Sequence, residues 1–167
     1  MDIHNLVYLV LLTFLPGVEL RLSIPVGLWN TPIPLPFVGT VNGLGLPLLE
    51  VLLVVIIANL VLGIFLFFAL DFLVRLFTRV QFIKEIYNRL VARTQKRVGP
   101  YVEKYGTIGL ALFIAIPLIG SGVWTGAFAA YLLGMRFRKF LVAEIIGVLI
   151  AGAIVTLISL GLLTWIG

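Results

Sequence analysis

The chain has 167 residues, of which 62% are hydrophobic and 11% charged, with a mean hydropathy of +1.21. A soluble domain carries about 45–50% apolar and about 25% charged residues, so a soluble globular fold is excluded and there is room for about four to six membrane crossings. With no cysteine and one histidine, His4, disulfides, thiolate chemistry and a His/Cys metal centre are excluded, and neither metal nor cofactor is expected.

The net charge of +5 is distributed by segment. One basic residue, Arg21, lies in residues 1–70, eight lie in 71–104, and Arg136, Arg138 and Lys139 are the last. This is a positive-inside pattern with two cytoplasmic patches, and it argues against nucleic acid as a partner. The expected location is the cytoplasmic membrane, multi-pass. The first apolar run follows Asp2, with no Lys or Arg before it and no small-residue cleavage site after it, so it is expected to stay in the mature protein.

Residues 3–29 are apolar but broken at Pro16-Gly17, with Pro25 as a further expected break, and hold Glu19 and Arg21. The break predicts a re-entrant helical hairpin, with one kinked span as the alternative. Residues 30–45, rich in Pro and Gly and free of charge, predict an external loop. Residues 46–70 and 140–166 are unbroken apolar runs long enough to span a bilayer, and both predict transmembrane helices. Between them, 71–104 is basic. Leu73, Phe77, Val80, Ile83, Tyr87 and Leu90 fall on one helical face there, which predicts an amphipathic interfacial helix attracted to anionic membrane lipids.

Residues 105–134 are too few for two spans and many for one, and basic residues flank both ends. Breaks at Pro117 and Gly120-Ser121-Gly122 predict a second re-entrant hairpin, whose irregular backbone must face protein or a watery cavity. The whole reads as an all-α integral membrane protein. Residues 1–70 form one repeat of hairpin then span, and 105–167 form a second that enters from the opposite face.

The chemistry-bearing residues cluster at the breaks. Glu19 and Arg21 stand beside the first break, where a charge must be paired or line a cavity. Arg21 is a candidate for binding an anionic group and Glu19 for its counter-ion or for proton coupling; the alternative is an ion pair that only holds the hairpin. Ser121 is a candidate N-cap, and the free N–H groups around Gly122 favour an anion there. Trp124 and Thr125 could line the same cavity. Glu50 and Glu144, each expected in the first turn or two of its span, are further proton-coupling candidates or simply dipole-favoured carboxylates. Asn59 is expected to hydrogen-bond between helices, and Asp71 and Arg75 to pair at i,i+4. Gly122, Gly126, Ala130 and Gly134 recur every four residues as a packing stripe, with a possible facing groove at Gly147, Ala151 and Gly152.

The run from Pro16 to Pro25, PGVELRLSIP, resembles the N-terminal signature of the small multidrug export protein family. Residues 113–126, FIAIPLIGSGVWTG, continuing through Gly134-Met135 to Phe140, resemble its second signature and are also similar to the DedA/VTT membrane-protein superfamily. The resemblance implies a re-entrant-hairpin transporter. The superfamily is associated with polyprenyl-phosphate or phospholipid translocation, and the narrower family is named for drug export. Many DedA proteins carry arginines around the second proline, where this chain has Ile114 and Gly120, leaving Arg21 to supply the charge.

No Gly-rich loop ending in Lys-Ser/Thr and no plausible Ser/His/Asp set is present, so neither ATP-driven transport nor enzymatic activity is expected. The leading expectation is a secondary transporter, ion- or proton-coupled, of an anionic amphiphile such as a lipid phosphate. A small multidrug exporter of cationic drugs, with Glu19 as its substrate carboxylate and Arg21 counting against it, and a non-transporting membrane scaffold, are the alternatives. Glycine-lined helix faces suggest a homodimer.

Overall fold

In the computed structural model, residues 3–35, 39–77, 106–117 and 121–166 are described. Helix α1 (Ile3–Phe14) stops before Pro16-Gly17, and Gly17 takes a left-handed φ of 79° that turns the chain. Helix α2 (Glu19–Leu28) then packs back on α1, with Leu12, Val18 and Val26 in one buried cluster flanked by Tyr8 and Leu22. The first broken run is therefore a pair of short packed helices. Pro25, expected as a break, instead lies inside α2. Proline there removes only one N–H from the ladder, and Trp29 N–H still reaches the Pro25 carbonyl at 2.9 Å.

The expected loop contains a small antiparallel ribbon, β1 (Pro32–Leu35) and β2 (Gly39–Asn42), with Ile33 opposite Val41. The remaining described elements are all α-helices, as expected. Pro32 and Pro34 already hold extended backbone, and in two strands a missing N–H can face outward without breaking the ladder. Ile33 anchors the ribbon on the α1–α2 cluster. Beyond it, the N–H groups of Leu44 and Leu46 bond the carbonyls of Val26 and Gly27 at 2.8 Å, filling acceptors that the end of α2 leaves open.

Helix α3 (Leu48–Phe77) runs straight through the expected boundary at residue 70. The interfacial helix expected beyond it lies outside the described residues from 78 on, and the side chains of Asp71 and Arg75 are likewise outside them. Helix α4 (Gly106–Ala115) ends before Pro117, and α5 (Val123–Leu132) packs on it, with Gly126 seated against Ile114. Gly120 lies outside the described residues. Gly134 closes α5 at φ 63°, with Met135 N–H bonded to the Ala130 carbonyl. Helix α6 (Phe137–Ile166) follows. Its small residues meet other partners than α5: Gly147 abuts Ile114 of α4, and Gly152 faces Ile56 of α3.

Helices α3 and α6 run antiparallel, with Phe67 against Phe140, Gly63 against Glu144 and Ile56 against Gly152. One core threads the described helices, from Leu9 and Ile24 through Val51, Val55 and Leu62 to Ile114, Val123, Phe140 and Val148. The outer faces are as apolar as the core. Leu49, Leu53, Ile57, Val61, Phe65, Phe68 and Phe72 form an exposed stripe along α3, and Leu149, Leu157 and Ile158 are exposed on α6. Both helices contain windows apolar and long enough to cross a membrane, Leu48–Leu70 and Phe137–Gly161. Exposed apolar area so continuous is suited to lipid contact.

Candidate functional site

The two sequence breaks are brought together at a single junction. Glu19 starts α2 with a positive φ of 43°, unusual for a residue with a side chain. Its buried carboxylate crosses to the start of α5, where Oε2 accepts the Val123 N–H at 3.1 Å and Oε1 the Trp124 N–H at 3.3 Å. Two residues on, Arg21 donates through Nη2 to the Ser121 hydroxyl at 2.9 Å and to the Ile116 carbonyl at 3.3 Å. That carbonyl sits just past the end of α4, next to Pro117.

The electrostatics of this arrangement are complementary on both sides. A helix N-terminus presents unbonded N–H groups and partial positive charge, and a C-terminus presents unbonded C=O groups and partial negative charge. The carboxylate meets the first and the guanidinium meets the second, so one short segment of α2 satisfies both broken ends of the α4–α5 pair. Charge-assisted hydrogen bonds of this kind contribute about 1.5–3 kcal/mol each.

The expected roles change accordingly. Ser121 is not the N-cap of α5: Gly122 holds that position with no side-chain cap, and the Ser121 hydroxyl donates to the Ile116 carbonyl instead. Capping comes from Glu19, about a hundred residues away in sequence, so the anion-favouring N–H groups predicted around Gly122 already have an anion. Gly122 sits at φ 107°, and a Cβ there would collide with the Glu19 carboxylate and lie 2.7 Å from Arg21 Nη2. Thr125 Oγ1 turns back to the Gly122 carbonyl at 3.4 Å, and Trp124 is half-buried. The buried Trp124 Nε1 and Arg21 Nη1 have no hydrogen-bond partner among the described residues.

Glu50 and Glu144 prove unlike one another. Glu50 lies in the first turn of α3 and is partly exposed. Glu144 is the eighth residue of α6, just beyond its first two turns, and is fully buried. Its carboxylate rests on α3 where Gly63 has no side chain, beside Val123 of α5. Neither of its oxygens has a hydrogen-bond partner among the described residues. Asn59, one turn from Gly63, is also fully buried, and its amide has no partner among those residues, contrary to the interhelical bond expected of it. The seat at Gly63 could not be read from the sequence, because a glycine in an apolar span carries no mark of what it faces.

These features define a helical membrane protein in which a polar junction joins two pairs of short helices packed against two long apolar ones. The family model described as "Putative small multi-drug export protein" matches residues 19–154, and the chain belongs to that family. No curated protein and no solved structure matches it.

Proposed function

We propose that the chain is a multi-pass exporter of small amphiphilic compounds in the cytoplasmic membrane, working by alternating access around the Glu19–Arg21 junction. The observation that carries this reading is the tip-to-tip contact of two half-length helix pairs. Helix α1 has 12 residues and α2 and α5 have 10 each, about 15–18 Å at 1.5 Å per residue, or half of a 30 Å hydrocarbon core. Pairs of that length, joined at their turns by polar groups, suit two re-entrant hairpins that meet near the midplane. The order short, short, long occurs twice and the long helices are antiparallel, as an inverted repeat requires. Arg136, Arg138 and Lys139 favour a cytoplasmic side for the α5–α6 turn.

A lipid phosphate cargo, as in DedA-like translocation, is a second reading. It is favoured by one observation, the buried Arg21 Nη1 that no described residue engages. Flux into proteoliposomes separates the two. Export of a lipophilic amphiphilic drug, lost in Arg21→Ala and reduced in Glu19→Gln, supports the first reading. Movement of a fluorescent lipid phosphate with no drug flux supports the second, and the absence of both favours a scaffold.

A further inference from the structure

One deep carboxylate remains outside the junction, and a cavity borders the next helical turn of α3. Phe67, Phe68, Tyr131, Gly134, Met135 and Phe137 line a cavity of about 340 Å³ between α3 and the α5–α6 turn. Its wall is aromatic and sulfur-bearing, with no acid or base among those residues. Aromatic faces attract organic cations, and methionine adapts to irregular apolar shapes. Phe67 stacks on the fully buried Phe140 with ring centroids 4.9 Å apart and planes within 22°. One helical turn beyond that stack, on both helices, lies the Glu144 carboxylate on its Gly63 seat.

We propose that Glu144 is the counter-charge for a cationic, aromatic amphiphile that the cavity first receives, and that the Phe67–Phe140 stack is the gate between them. An ionised carboxylate in apolar surroundings without hydrogen-bond donors carries a large desolvation cost, which a proton or a cation removes. Glu19 cannot take that role, because its two oxygens hold the N–H groups of α5. Among the described residues, Glu144 has no partner, and neither has the Asn59 amide one turn further along α3. The cavity opens beside the basic turn at 136–139, so a compound from the cytoplasmic side would meet aromatic rings first and the carboxylate second. This inference rests on the export reading and supplies its cargo class.

The full-length protein in detergent is titrated with tetraphenylphosphonium and with tetraphenylborate, ions of one shape and opposite charge. The wild type should prefer the phosphonium by about tenfold or more. Glu144→Gln should remove that preference by weakening phosphonium alone, Glu144→Asp should keep part of it, and Phe137→Ala should weaken both ions. Carbodiimide labelling of Glu144 in the wild type, slowed by phosphonium and not by borate, gives a test that needs no variant to fold. No saturable phosphonium binding, equal affinity for the two ions, or phosphonium affinity unchanged in Glu144→Gln overturns the site. Binding is read without transport: lost flux with charge preference intact contradicts export alone, and flux without charge preference contradicts this site alone.

Discussion

At the scale of single residues, the molecule turns on two charges that an apolar chain would be expected to avoid. Glu19 and Arg21 are held at depth because each meets a helix end of opposite partial charge. Glu19→Gln keeps the shape and loses the charge, and should lower stability by about 2 kcal/mol, read as a fall in thermal midpoint in detergent. Gly122→Ala should cost at least as much, because the φ of 107° strains any residue with a Cβ and that Cβ would meet the Glu19 carboxylate. An unchanged midpoint in both variants would show that the junction contributes nothing. That Glu19 and Arg21 need partners was legible in the sequence because charge inside an apolar run is conspicuous. Their partners were not, since a cap supplied across about a hundred residues leaves no local pattern, whereas Ser121 beside Gly122 imitates an ordinary cap.

At the scale of elements, punctuation predicted well where backbone chemistry decides and poorly where packing does. Pro16-Gly17 and Pro117 end helices as expected, because one supplies a left-handed turn and the other cannot continue the ladder. Pro25 misled, since tertiary contacts carry α2 through it. The β1–β2 ribbon was hidden by its prolines, which read as loop although they already favour extended strands. The Phe67–Phe140 stack had no signal at all: phenylalanines in an apolar span look alike whether they face lipid or each other. Phe140 is fully buried, so Phe140→Ala should destabilise by about 3–5 kcal/mol. Phe67→Ala should be milder, because Phe67 already borders a cavity. A chemical-denaturation series in mixed micelles orders the two, and a larger loss at Phe67 would contradict the packing described.

At the scale of the whole molecule, composition alone excluded a soluble fold, and the apolar exterior of α3 and α6 accords with a lipid surround. The expectation of re-entrant hairpins came from charge: basic residues flank 105–134 on both sides, whereas 3–29 and 30–45 have no lysine or arginine but Arg21. Because the chain has no cysteine, single-cysteine variants report topology without background. The most direct measurement places one cysteine at Gly106, at the start of α4, and another at Gly134, after α5, and labels intact cells and inverted vesicles with an impermeant maleimide. Both positions should react from the cytoplasmic face only, with Asn30 reacting from the opposite face. Labelling of the cysteines at 106 and 134 from different faces would mean that α4 and α5 cross the bilayer together, and the proposed midplane junction would fall with that result.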